Sequence, residues 1–187
     1  MLHNSLKFTH ELLKKGIKTG DTVIDATVGN GGDTLLLAKL VGEDGKVIGF
    51  DIQEEAINRT TEKLKNHNLL DRVALYQKGH EQLLSVYPER DSVSAIVFNL
   101  GYLPKGDKRI ITSPDTTIKA IESGLTVLKE NGLLLIMIYY GHEGGLSEKE
   151  AVLNYVTSLP QSRYQVLKYE FINQKNNPPF LLALEKR

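Results

Sequence analysis

The sequence predicts an α/β fold: a seven-stranded, mostly parallel sheet with helices on both faces and one antiparallel strand. Three observations predict it. Short apolar runs alternate with amphipathic stretches along the chain, the pattern of strand-helix-strand units. The first two runs end in acids, Asp25 and Asp51, with a glycine-rich turn after the first. The last two runs, "RYQVLKYEFI" and "PFLLALEK", have no helix between them, so one of that pair runs against the rest.

The elements follow in order. "LKFTHELLKKG" is a helix ahead of the sheet. "TVIDAT" (Thr22 to Thr27) is a buried strand, and "DTLLLAKLVG" a helix ending near Gly42. "GKVIGFD" (Gly45 to Asp51) is the second strand. "QEEAINRTTEKLKNHNL" is a helix with acids in its first turn and Lys63, Lys65 and His67 near its end, as the helix dipole favours. "RVALYQ" is a strand, "HEQLLSVY" a short helix and "SVSAIVFNL" the fourth strand. "PDTTIKAIESGLTVLKENG" is a helix with Pro114 near its start and Gly132 past its end. "LLLIMIYY" (Leu133 to Tyr140) is the fifth strand. "SEKEAVLNYVTSL" is a helix capped by Ser147, with Glu150 at capping-box spacing. "NQKNNPP" suits a hairpin-like link between the closing strands. Linkers are short, so residues 1–187 read as one domain. The longest loop runs from Gly101 to Ser113, and loops of that length in compact domains are often functional.

Composition narrows the chemistry. The chain of 187 residues is 41% hydrophobic and 25% charged, with zero net charge. That argues against coating nucleic acid through bulk charge and leaves local basic patches open. There is no cysteine, which excludes disulfides, thiolate metal sites and a cysteine nucleophile. Methylation at C5 of a pyrimidine usually needs such a thiolate, so nitrogen or oxygen is the expected acceptor. The five histidines show no metal-ligand spacing, and no metal is expected. The N-terminal stretch is not a signal peptide and no apolar run is long enough to span a bilayer. A cytoplasmic protein without membrane contact is the expectation.

The turn "VIDATVGNGGDT" follows the first strand. Gly29, Gly31 and Gly32 permit tight turning and close approach of a ligand. In a parallel sheet Asp25 and Asp51 lie at the carboxyl edge, where ligands bind, and an acid ending the second strand can accept both hydroxyls of a ribose. The third glycine of the dinucleotide fingerprint G-x-G-x-x-G is missing. Asp25 and Asp33 would repel a pyrophosphate and suit a cationic cofactor, for which S-adenosylmethionine is the fit.

Here the sequence resembles the Rossmann-like, class I methyltransferases. Asp25-Ala-Thr27-Val-Gly29-Asn-Gly31 matches their motif D-x-G-x-G-x-G, with Thr27 in place of the first glycine. The resemblance implies that Gly29, Asn30 and Gly31 line the methionine end of S-adenosylmethionine; Asp25, Thr27, Asp33, Thr34 and Asn99 are taken as further cofactor-binding residues. It implies that Asp51 holds the ribose, that Ile52 and Gln53 lie beside the adenine, and that His80 or Glu81 contacts it. The fourth strand ends in "NLGY", where amino-group methyltransferases often carry N/D-P-P-Y/F. Asn99 would orient the accepting nitrogen beside the cofactor, and Tyr102 would stack on a flat base; positioning of that kind supplies much of the rate.

Three longer stretches, "NLGYLPKGDKRIIT", "YYGHEGGLSEKEAV" and "NQKNNPPFLLALEK", are similar to the YtqB/MnmM-type family, long labelled rRNA methylases. That resemblance implies methylation of the exocyclic amine of 5-aminomethyl-(2-thio)uridine at wobble position 34, with the tRNA anticodon stem-loop as partner. An alkylamine is protonated at neutral pH, so the site must favour its neutral form. His142 is a candidate acceptor for that proton, or a hydrogen-bond partner for the substrate. Tyr139 and Tyr140 point to opposite faces, and Tyr140 is taken as the one in the substrate site. Leu103, Pro104, Lys105, Asp107, Lys108 and Arg109 complete the substrate loop, the basic ones meeting phosphate. A homodimer would supply more RNA-binding surface. The rival readings are an rRNA methyltransferase, a small-molecule N- or O-methyltransferase, and a non-catalytic cofactor-binding module.

Overall fold

The computed structural model describes residues 2–101 and 111–187. Along the chain come α1 (Ser5–Gly16), β1 (Thr22–Asp25), α2 (Gly32–Leu40), β2 (Lys46–Asp51), α3 (Glu54–Asn66), β3 (Val73–Gln77), the single turn α4 (Leu83–Val86), β4 (Val93–Leu100), α5 (Pro114–Val127), β5 (Leu128–Ile138), α6 (Gly145–Ser158), β6 (Tyr164–Tyr169) and β7 (Phe180–Lys186). The seven strands form one sheet in the order β3-β2-β1-β4-β5-β7-β6. β7 is antiparallel to both its neighbours, and the other ladders are parallel. This is the expected sheet with its one reversed strand.

The inner strands are buried on both faces, which is why they read as continuous apolar runs. Ile24, Ile96, Phe98, Leu134 and Ile136 face a core shared with α4, α5 and α6. Val23, Ala95, Val97, Leu135 and Met137 face the other core, shared with α1, α2 and α3. The alternation continues past the strand ends, so Asp25, Asn99 and Tyr139 belong to the α1–α3 face and Tyr140 to the other. From β1 the chain builds outward to β3, then crosses back to lay β4 on β1's other side. The switch point between β1 and β4 opens a crevice at the carboxyl edge.

Two helix boundaries depart from expectation. α5 ends at Val127, not near Gly132. Leu128 is fully buried and pairs with Val93, so the chain is claimed by the sheet. Asn131 then takes a left-handed φ of 60° within an irregularity that separates the Val93–Leu128 pair from the Ala95–Leu133 pair and the regular body of β5. α6 begins at Gly145, so Ser147 lies inside the helix and does not cap it. Gly144, at φ 80°, turns the chain, and Gly145 sits so close to Tyr140 that a Cβ would come within 2.8 Å of its Cα. α1 starts on a true cap, Asn4 Oδ1 accepting from the Lys7 N–H at 2.8 Å. Its start is tied to the closing strands: Ser5 Oγ donates to the Pro179 carbonyl and Tyr169 Oη to that of His3. Among the described residues no helix is long and apolar enough to cross a membrane.

Candidate active site

A cleft of about 370 Å³ opens at the switch point, within the roughly 300–1,000 Å³ usual for small-molecule sites. One end is built on the turn after β1. Gly29 and Gly31 both take left-handed φ, 51° and 69°. A Cβ on Gly31 would also lie 2.5 Å from Thr60 Oγ1, so glycine is required there twice over. Asp51 holds the turn from the end of β2. Its Oδ2 accepts from the Gly29 N–H at 2.8 Å and its Oδ1 from the Gln53 N–H at 2.9 Å. Thr27, Gly29, Asp51, Ile52, Gln53, His80 and Glu81 line the cleft here. Ile52 presents a half-exposed apolar side chain. His80 is buried, and burial holds it below the ordinary imidazole range. Its Nδ1 lies 3.3 Å from the Ala26 carbonyl, which can only accept, so Nδ1 carries the proton and Nε2 is the acceptor.

Asp25 departs from the sequence reading. It is fully buried and absent from the cleft wall. It accepts from Thr34 Oγ1 at 2.6 Å and from the Thr27 N–H at 3.2 Å, bracing the turn from beneath. Burial, followed by the charge of Asp33, pushes its carboxyl up to about 7. An acid in that environment supports the loop from below the cleft wall.

The other end of the cleft is formed by Asn99, Gly101, Ile111, Thr112, Ser113 and Thr116. The Asn99 N–H donates to Thr27 Oγ1 at 2.6 Å, and its Nδ2 to Asp33 Oδ2 at 2.8 Å. Asp33 is held in turn by His10 of α1, Nε2 to Oδ1 at 2.7 Å. The Gly101 N–H donates to Thr112 Oγ1 at 2.9 Å, and the Thr112 N–H returns to the Gly101 carbonyl. Thr112 Oγ1 and Thr117 Oγ1 each donate at 2.7 Å to Glu148, a carboxylate almost wholly buried beneath them. Glu148 thus fixes the spacing between the end of β4 and the start of α5.

Of the residues singled out in the sequence, Thr27, Gly29, Asp51, Ile52, Gln53, His80, Glu81 and Asn99 share the cleft wall. Asn30 is turned to α3, where Arg59 and Lys63 bond it. Thr34 is buried on Asp25. Tyr140 is corrected: it is buried in the core, edge-on to Phe180 at 5.8 Å, with the Lys149 ammonium over its ring. Tyr139 takes the other face, and burial with the charge of Asp33 raises its phenol. His142 lies behind the acceptor end; its ring would meet a Cβ on Gly145 at 3.0 Å and one on Gly101 at 3.7 Å. Tyr102, Leu103, Pro104, Lys105, Asp107, Lys108 and Arg109 lie outside the described residues. Sequence reasoning missed His10, Glu148 and the hydroxyls of Thr112, Ser113 and Thr116. The start of α5 was traceable, because β4 and α5 meet at the ligand edge in any parallel sheet. His10 and Glu148 carry no local signal.

This strand order, with an acid ending β2 and gripping a glycine turn after β1, defines a class I methyltransferase, an enzyme that uses S-adenosylmethionine. The family model described as "Putative rRNA methylase" matches residues 47–185, and the chain belongs to that family. A second model, for protein-L-isoaspartate(D-aspartate) O-methyltransferase, matches residues 4–83, which hold the glycine turn and Asp51. The chain is 37% identical to the "tRNA (mnm(5)s(2)U34)-methyltransferase, chloroplastic" of Arabidopsis thaliana, over 95% of this chain and 68% of that protein. A crystal structure of a "putative rRNA-methylase" from Clostridium thermocellum superimposes with a TM-score of 0.97 at 47% identity, covering all of both chains. A "putative methyltransferase" from Streptococcus mutans, solved in complex with SAH, superimposes with a TM-score of 0.91 at 40% identity, again over both chains.

Proposed function

We propose that this protein methylates the exocyclic amine of 5-aminomethyl-(2-thio)uridine at wobble position 34 of tRNA, in the cytoplasm, giving the 5-methylaminomethyl product. The observation that carries the reading is the orientation of Asn99 in the cleft wall. Its amide nitrogen is committed to Asp33, and this leaves Oδ1 to accept an N–H from an amine. The similarity to the chloroplastic tRNA methyltransferase, over nearly the whole chain, supports this choice of substrate.

S-adenosylmethionine, when bound, supplies an electrophilic methyl group on a sulfonium. The cleft fits it. Asp51 offers a carboxylate to a diol, Ile52 an apolar face to a flat ring, and neutral His80 an acceptor nitrogen. The acceptor amine must lose a proton before it can attack. The apolar side chain of Ile111 at that end favours its neutral form by desolvation. Asn99 Oδ1 receives one N–H, which directs the lone pair away from the carboxamide. His142, beside Gly101, is the proposed acceptor for the departing proton, and Tyr102 the proposed stacking partner of the base. Lys105, Lys108 and Arg109 are assigned to phosphate contacts. The whole chain, residues 1–187, is taken as one catalytic domain.

The test is a methylation assay with radiolabelled S-adenosylmethionine and anticodon stem-loops carrying uridine or 5-aminomethyl-uridine at position 34. Label should enter only the aminomethyl stem-loop, and nucleoside mass spectrometry should find it on the exocyclic nitrogen. Label in ribosomal RNA alone, or in neither RNA, overturns the assignment.

A further inference from the structure

The Asn99 carboxamide serves an amine acceptor only one way round. With Nδ2 in the cleft it would donate to the lone pair that must attack. With Oδ1 in the cleft it accepts an N–H and leaves the lone pair free. The choice is set by Asp33. An ionised carboxylate only accepts, so the 2.8 Å contact puts Nδ2 on the Asp33 side without ambiguity. Asp33 in turn depends on a second donor. Its side chain is 12% exposed, so water does little to hold it. Its charge also acts on buried Asp25 nearby, where like charges disfavour one another. His10 provides that donor from α1. Its Nε2 is 2.7 Å from Asp33 Oδ1, an atom that only accepts, so Nε2 carries the proton. His10 itself is no part of the cleft wall.

We infer that His10 is a positioning residue: through Asp33 it holds the Asn99 carboxamide with its carbonyl turned into the acceptor end of the cleft. Without that donor Asp33 is free to rotate out of line, and the carboxamide loses the acceptor that tells its two ends apart. The catalytic consequence rests on the proposed role of Asn99 in receiving the substrate amine. The side-chain relay itself does not.

Two variants decide it. His10→Phe keeps a ring without a donor, and His10→Gln restores an N–H. The first readout is the Asn99 side-chain amide in ¹⁵N–¹H spectra, assigned by its loss in Asn99→Ala. One proton should be shifted downfield and exchange slowly in the wild type, lose both properties in His10→Phe, and regain them in His10→Gln. The second readout is turnover on the aminomethyl stem-loop. His10→Phe should lower kcat about ten-fold or more. KM for the stem-loop and Kd for SAH should stay within about two-fold, as for a loss confined to the transition state. His10→Gln should recover most of the rate. An Asn99 signal unmoved by His10→Phe overturns the inference. So does a fall in kcat matched by an equal loss of SAH affinity, or a His10→Gln no better than His10→Phe. If the wild type methylates no stem-loop, it is the substrate assignment that fails, and the amide spectra alone still decide whether His10 holds Asn99.

Discussion

The two ends of the cleft are built on different scales. At the cofactor end the bonds that fix Asp51 and the base of the turn are close in sequence: Gln53 to Asp51 spans 2 residues, Thr34 to Asp25 spans 9 and Gly29 to Asp51 spans 22. These lie at or within one β-α-β unit, and longer bonds, such as His80 to Ala26 across 54, add to a turn already set. At the acceptor end Asn99 is held from 72 and 66 residues away, and Glu148 reaches Thr112 and Thr117 across 36 and 31. A turn that grips a nucleoside-like ligand needs backbone geometry and one well-placed acid, which a local motif supplies. Aiming a single lone pair needs side chains fixed from several directions, and only the assembled sheet brings those together.

Five substitutions test whether the two ends of the cleft are separable. Asn99→Ala should lower kcat by about 10²–10³, the size of losing one positioned transition-state group, while SAH affinity by calorimetry stays within about three-fold. Equal losses in both would mean that the two ends are not separable. The next largest effect is expected at Asp25, whose carboxyl is raised from 3.8 to about 7. The unfolded chain releases that proton near pH 4 whereas the folded one keeps it, so stability falls as pH climbs through this window and levels off above 7. Asp25→Asn removes the loss. In urea melts it should exceed the wild type by up to roughly 4 kcal/mol at about pH 8 and by nearly nothing at about pH 4. A pH-independent difference would contradict the burial argument. Asp51→Ala should weaken SAH binding by about ten- to a hundred-fold, the worth of one or two charged hydrogen bonds, with kcat at saturating cofactor largely kept. If kcat collapses instead, the local motif also governs the acceptor.

Glu148→Gln leaves one of the two threonine hydroxyls poorly answered and should cost about 1–3 kcal/mol in stability, a Tm drop of several degrees for a chain of this size. It should also raise KM for RNA more than Kd for SAH; a fall in SAH affinity alone would show that Glu148 serves the wrong end. Ser147→Ala should change stability by less than about 0.5 kcal/mol, where loss of a true cap costs about 1 kcal/mol. Chemical denaturation separates the two.

The same contrast explains what could be read in the sequence. The strand-helix order, the reversed strand and the pairing of the glycine turn with Asp51 follow from apolar periodicity and from acids at strand ends, which are local signals. Tyr139 and Tyr140 show where such signals stop. Period-two alternation says that they diverge, but only the register of β5 against β4 and β7 says which one enters the core. The ends of α5 and α6 were set by Leu128 pairing with Val93 and by Gly145 packing on Tyr140, contacts invisible along the chain. His10 and Glu148 were hidden for the same reason, since each acquires its meaning from a partner in a distant element.

Thr27 stands where the related motif has a glycine, and its hydroxyl answers the Asn99 N–H. Substitution at position 27 is therefore constrained. A lineage reverting to glycine at 27 leaves a donor stranded at the tip of β4, and must find another oxygen for it or tolerate a looser strand end. Because that donor is a main-chain N–H, present whatever side chain stands at 99, the demand falls on position 27 alone: it ties the turn after β1 to the tip of β4 through one hydroxyl.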